Sequence, residues 1–191
     1  MNSTPTPAEI ARKILEHSPV YLDTETTGLG QTDEVCEISI IDHDGSILMD
    51  TLVKPTFPIH PSVSAIHGIT NEMVSKAPSF REVMPKLQDV LKNRVLVVYN
   101  LDYDTRMLAQ SAAAHDEVFF QTNLMSYCAM KIYAAHWGEW SDYRHDYKWQ
   151  RLGDAMRQQG IRFEGTLHRA LADTQVTRLL MQKIAGVNGY V

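Results

Sequence analysis

An apolar run, Val20-Tyr21-Leu22, leads straight into two carboxylates one residue apart, Asp23 and Glu25. Alternate side chains of a strand share a face, so the two acids are predicted to project together from the end of a β-strand. Left bare, such a pair repels and one member tends to hold a proton; a bound divalent cation is the simplest way to keep both ionised. Two later blocks can add ligands, Asn100-Leu101-Asp102-Tyr103-Asp104 and His168-Arg169-Ala170-Leu171-Ala172-Asp173. Each block belongs to a different predicted element. Four carboxylates and one histidine in that arrangement point to metal-dependent phosphodiester hydrolysis.

Asp173 follows His168 by five positions. On a continuous helix five residues advance about 500°, which leaves the two side chains roughly 140° apart and off any common face. The spacing therefore predicts His168 on a mobile loop just before a helix and Asp173 near that helix's first turn. An imidazole so placed suits a general base, because its ordinary pKa of about 6.5 lets it take a proton from an attacking water near neutrality.

With these residues the chain resembles the DEDDh exonucleases, DnaQ-like enzymes whose relatives include the polymerase III epsilon proofreading subunit, ribonuclease T and oligoribonuclease. The resemblance runs from Val20 to Ala185. Its first motif is Asp23-Thr24-Glu25-Thr26-Thr27-Gly28-Leu29, its second ends in Asn100 and Asp104, and its third is His168 with Asp173. A further stretch, Ile66-His67-Gly68-Ile69-Thr70 followed by Met73, is similar to the family segment beside the terminal nucleotide. The chain departs from the family at Tyr99, where many members carry a histidine.

The resemblance implies that Asp23, Glu25, Asp104 and Asp173 hold two Mg²⁺ or Mn²⁺ ions and that His168 deprotonates the nucleophilic water. It implies 3′→5′ release of nucleoside 5′-monophosphates from the 3′ ends of single-stranded DNA or RNA, with DNA slightly favoured. Thr26, Thr27, Gly28, Leu29, His67 and Asn100 would shape the substrate pocket, Gly28 by permitting close backbone approach and Leu29 by wedging against a base.

The coarse element pattern is consistent with this. A helix is predicted over Ala8–Glu16, strands over Val20–Thr24, Val35–Asp42 and Ser46–Val53, and a Pro-rich connection over Lys54–Pro61. The three strands suggest an antiparallel meander, and Asp44-Gly45 between two apolar runs signals a hairpin that makes the second and third strands adjacent. Then come a helix over Phe80–Lys92, a buried strand Val95–Tyr99, and helices over Asp102–Ala114, Leu124–Ala135, Gln150–Gln158 and Leu171–Ile184. This reads as α/β with a mixed sheet flanked by helices; the resemblance sharpens it to the ribonuclease H-like fold. Residues 1–17 are expected as a tail with a short helix and 18–187 as one exonuclease domain.

Composition excludes several classes. A chain of 191 residues that is 44% hydrophobic can bury a substantial core. Cys36 and Cys128 give no disulfide framework or zinc spacing, as expected of a cytoplasmic protein. Met1 to Ala8 lacks the basic and apolar regions of a secretory signal, and no apolar stretch is long enough to span a bilayer. A net charge of −5 disfavours a protein that coats long nucleic acids, but not one that acts on ends, where bound cations reverse the local field. Arg144, Lys148, Arg151 and Arg169 are candidate phosphate contacts. A polymerase partner is not indicated, since the chain stops a few residues after its last predicted helix; a homodimer is left open.

Trp137, Trp140, Tyr143, Tyr147 and Trp149 crowd one segment together with Arg144 and Lys148. Two readings stand: a stacking surface for unpaired bases, or a loop packed over the core or against another subunit. Two other functions compete with this one. An aspartyl-phosphate phosphatase would leave His168 and Asp173 without a role. A noncatalytic nucleic-acid or polymerase-binding module would not need the intact ligand set.

Overall fold

The structure is a computed structural model, and it describes residues 4–119, 122–123 and 125–187. Strand β1 (Val20–Thr26) sets the layout through its period of two. Val20 and Leu22 enter a core with Ile38, Leu87, Met107 and Leu108, whereas Tyr21 enters a second core with Ile14, Tyr133, Val176 and Leu180. Asp23 and Glu25 continue the Tyr21 row past the point where apolar residues end.

Strands β2 (Val35–Ile41) and β3 (Ile47–Leu52) follow β1 in the expected antiparallel meander. Their hairpin turns at Gly45, whose φ of 94° is a conformation that side-chain-bearing residues disfavour. Strand β4 (Val95–Val98) lies parallel to β1 on its other side, and β5 (Met125–Cys128) is parallel to β4. The sheet order is β3-β2-β1-β4-β5. Because β1 and β4 run the same way, their carboxyl ends share one edge, where crevices form in such sheets.

Helix α1 (Pro7–Glu16) starts at a reciprocal cap in which the Thr6 N–H donates to Glu9 Oε2 (2.7 Å) and the Glu9 N–H to Thr6 Oγ1 (3.3 Å). Its Ala11 and Ile14 share a core with Tyr21 and Val176, so α1 is packed into the body. Two short helices, α2 (Pro61–His67) and α3 (Asn71–Val74), occupy the stretch after the Pro-rich connection, where none was predicted. The signals for α2 were present: Pro61 at its first position and Gly68 at φ 74° after its last. Helices α4 (Phe80–Leu91) and α5 (Leu101–Ala113) cover the Val20–Leu22 face.

The helix expected over Leu124–Ala135 is corrected. Met125–Cys128 is instead strand β5, and the helix, α6, runs Ala129–Trp137; Leu124 lies outside the described residues. A short apolar run has no decisive period of its own, and pairing with β4 makes it a strand. After α6 come a small hairpin of β6 (Trp140–Ser141) and β7 (Asp146–Tyr147), helix α7 (Leu152–Gln158), and α8 (Ala170–Ile184), which lies across β1 and β2. No helix among the described residues is long and apolar enough to cross a membrane.

Candidate active site

Asp23 and Glu25 from β1 meet Asp173 from the first turn of α8, with one carboxylate oxygen of each within 4.8 Å of the others. Asp104 and His168 line the same open cleft, which Tyr99, Asn100, Tyr103 and Leu152 complete. The three sequence blocks therefore converge. Asp104 lies outside that trio but acts on Asp23 through its charge: it is buried in the first turn of α5, and its Oδ1 accepts the Thr24 N–H (3.1 Å) and the Thr24 hydroxyl (2.7 Å). Thr24 points away from the Asp23–Glu25 face, so this contact ties α5 to the edge of β1.

All four carboxyls are pushed up from their ordinary range, by burial first and then by neighbouring carboxylates, Glu37 among them. Glu25 rises to about 8, with Asp173 and Glu37 adding to the effect of burial. Asp104 rises to about 7 against the opposing pull of its Thr24 hydrogen bonds, Asp173 to about 6, and Asp23 well above its usual value. Close-set oxygen donors that resist ionising beside one another suit a hard divalent cation, which would stabilise the charged forms. The donor set contains no sulfur and fits Mg²⁺ or Mn²⁺.

His168 is exposed on the turn before α8, as its spacing predicted. The expected mobile loop is held at several points. The His168 N–H donates to Asp173 Oδ1 (3.2 Å), and its backbone adopts φ 69°, a left-handed conformation that persists only where the surroundings enforce it.

Part of that enforcement comes from Glu37, which sequence reasoning passed over. The β1–β2 register sets Glu37 directly opposite Glu25. Its side chain is buried, both its oxygens accept Arg169 Nε at 3.1 Å, and Arg169 Nη2 adds an ion pair to Oε1. Glu37 Oε2 also accepts the Ala170 N–H at 2.9 Å. Arg169, the N-cap residue of α8, makes no side-chain cap, so Glu37 caps that helix from across the sheet. Arg169, expected as a phosphate contact, is thereby committed to Glu37. The available signal was one carboxylate inside the mostly apolar run Val35–Ile41.

The pocket-shaping candidates divide. Thr26 is buried, and its hydroxyl bonds the Gly28 carbonyl (2.9 Å) and the Tyr103 hydroxyl (2.6 Å), tying the Thr26–Leu29 turn to the cleft wall. Thr27 donates to Asp33 Oδ1 (2.7 Å) and accepts the Glu34 N–H (3.0 Å). At Gly28 a Cβ would lie 2.5 Å from the Asp33 carboxylate, so the close approach that requires glycine is made by Asp33. Leu29 is fully available at 78% exposure. Asn100 lines the cleft at the head of α5. His67 lies beneath the turn instead: it is buried, Nδ1 accepts the Ile69 N–H (3.0 Å), and Nε2 therefore donates to the Thr26 carbonyl (3.2 Å). Burial lowers its pKa, which favours that neutral form. The Tyr99 hydroxyl donates to the Gln150 carbonyl (2.7 Å), joining the end of β4 to the segment before α7.

The profile of the family described as Exonuclease matches residues 20–181. The uncharacterized exonuclease CP81 of Escherichia phage 186 is 42% identical over 179 residues, covering 92% of each chain. Among solved structures, exonuclease X in complex with 5′-overhanging duplex DNA superposes with a TM-score of 0.66 at 27% identity, covering 90% of this chain and 93% of that one. The zinc-bound complex of E. coli exonuclease I with single-stranded DNA gives a TM-score of 0.71 at 16% identity, a likeness of fold that covers 90% of this chain and 41% of that one.

Proposed function

This chain belongs to the exonuclease family, with its ribonuclease H-like fold, and from that premise we propose that it is a DEDDh-type 3′→5′ exonuclease acting on single-stranded ends, DNA slightly ahead of RNA. The observation that carries this reading is the meeting of Asp23, Glu25 and Asp173 within 4.8 Å, in a cleft that Asp104 and His168 also line. Asp23, Glu25, Asp104 and Asp173 would hold two Mg²⁺ or Mn²⁺ ions, which when bound activate water and stabilise charge on the scissile phosphate.

The remaining work falls to the chain itself. His168, exposed at the cleft, takes the proton of the attacking water. Asp173 and the Glu37–Arg169 pair keep the turn that carries this imidazole in register with the acids. The Thr26–Leu29 turn, braced by Tyr103 from the cleft side and by His67 from beneath, presents Leu29 to the terminal base. Asn100 completes the nucleotide's surroundings at the mouth of α5.

The test uses 5′-labelled single-stranded DNA and RNA of matched sequence, incubated with Mg²⁺, Mn²⁺ or EDTA. A ladder that shortens from the 3′ end, absent in EDTA and in Asp23→Ala, is the expected result. Release of the labelled 5′ nucleotide as the first product, or internal cutting, would overturn it.

A further inference from the structure

The chain's three tryptophans, Trp137, Trp140 and Trp149, all flank or lie on the β6–β7 hairpin, and they stand 42%, 50% and 49% exposed, with Tyr143 at the tip 94% exposed. Large aromatic side chains normally seek a core, and a cluster of them in solvent marks a surface that meets something. Of the two readings of this segment, packing over the core is not what the structure shows for Trp140, Tyr143 and Trp149.

The hairpin is built to present them. Trp140 meets Tyr147 edge to face across the strand pair, ring centroids 5.3 Å apart. Lys148 binds Glu139 twice, through its Nζ to the carboxylate (2.7 Å) and its N–H to the carbonyl (2.8 Å). The Arg144 guanidinium lies over the Trp149 ring, 5.8 Å from its centroid.

The base of the hairpin is continuous with the cleft. Trp149 precedes Gln150, whose carbonyl accepts the hydroxyl of Tyr99, a cleft residue; Leu152, two positions further on, lines the cleft as well. A strand whose 3′ end occupies the cleft thus has an aromatic surface at its border. Charge alone does not draw a polyanion here, because Glu139, Asp142 and Asp146 offset Arg144, Lys148 and Arg151. What the hairpin offers is faces, and every base has a face to stack on them.

We propose that the β6–β7 hairpin is a stacking platform for unpaired bases of the substrate strand upstream of its 3′ end, so that the enzyme favours strands long enough to reach from the cleft to Tyr143. This rests on the exonuclease reading. It commits to single-stranded nucleic acid as the occupant; a second copy of the chain is the competing one.

Two substrates separate the platform from the cleft: a single-stranded thymidine decamer, and the 4-nitrophenyl ester of thymidine 5′-monophosphate, which is too short to leave the cleft. For Tyr143→Ala, KM for the decamer should rise at least about fivefold, as loss of one stacked base predicts, while the ester's KM and kcat stay put. Tyr143→Phe should restore the decamer's KM. Because every tryptophan is at this surface, intrinsic emission measured in EDTA should be quenched by the decamer, with weaker binding in Tyr143→Ala. Equal decamer KM values for the parent and Tyr143→Ala would overturn the platform. So would sedimentation showing a dimer that Tyr143→Ala dissolves. If the parent hydrolyses neither substrate, the cleft reading fails by itself and the quenching titration decides the platform: weaker quenching in Tyr143→Ala supports it, and no quenching by the decamer overturns it.

Discussion

The head of α8 and the β6–β7 hairpin both border the cleft, yet they are held in opposite ways. At α8, Glu37 reaches across the sheet to bind Arg169 and cap Ala170, Asp173 binds the His168 N–H, and a backbone at φ 69° is held in place. On the hairpin, a short strand pair, one edge-to-face aromatic pair, the Lys148–Glu139 contacts and Arg144 over Trp149 carry the structure, all at the surface, and Tyr143 stands almost wholly in water. Proton transfer depends steeply on distance, so groups that do chemistry are fixed by several buried polar contacts. Stacking tolerates small displacements, so a surface for bases can sit on a lightly held element.

The largest effect should come from the rigid side. His168→Ala removes the proposed proton acceptor and is expected to lower kcat by roughly 10²–10⁴ with little change in KM, read from single-turnover rates in Mg²⁺. A residual rate within a few fold of the parent would mean that the clamped turn serves only as scaffold.

Next is the acid cluster itself. Asp173, Asp104 and Glu25 have pKa values raised to about 6, 7 and 8, above ordinary carboxylate values of about 4, so the folded state keeps protons that the unfolded chain releases. Stability of the metal-free protein should therefore fall as pH climbs from about 4 through 8. Mg²⁺ at a hundredfold excess over its pH 8 Kd should return about 2–3 kcal/mol there, and the same concentration should return less at pH 5, where protons compete for the carboxylates. Thermal melts in EDTA and in Mg²⁺ measure both; Glu25→Gln should flatten the EDTA slope, and an unchanged slope would remove the cluster as its cause.

Glu37→Gln tests the clamp while keeping all four cleft carboxyls, although it also removes a charge that helps to push up Glu25 and Asp173. It keeps an acceptor for the Ala170 N–H but loses the charge paired with Arg169, and activity is expected to fall about 10–100-fold, as for other residues that orient ligands. The loss should appear in kcat and in the Mg²⁺ concentration required, and an Arg169→Met partner change should add little to it. Strict additivity of the two would mean that they do not act as a unit.

The smallest change in stability belongs to the hairpin. Tyr143→Ala should leave the melting midpoint within about 0.5 kcal/mol of the parent, as for an exposed side chain without structural contacts. A larger drop would place Tyr143 in the fold and bring the two regions closer in kind.

Much of the site was legible because its signals are local. The alternation in Val20–Glu25 placed Asp23 and Glu25 on one face, and the five-residue step from His168 to Asp173 put a helix start between them; both follow from backbone period alone. Asp44-Gly45 announced the β2–β3 turn in the same way. Met125–Cys128 reads as helix in the sequence because four residues show no period that separates strand from helix until β4 lies alongside. His67 and Gly28 look alike in sequence whether they face a nucleotide or the protein; the structure gives His67 to the Thr26 carbonyl and Gly28 to the Asp33 carboxylate.

The sequence by itself determined the chemistry on offer: which acids, which imidazole, the elements that carry them and the antiparallel meander beneath, since each is written in spacings of two to five residues. Only the tertiary structure decided how those groups are held. Glu37 and Arg169 are 132 positions apart and Thr24 and Asp104 are 80 apart, and such pairs form because the folded sheet buries polar groups that must then be satisfied by whatever the packing brings beside them. The exposure of the hairpin's aromatics was settled in the same way, by which faces the core had already covered.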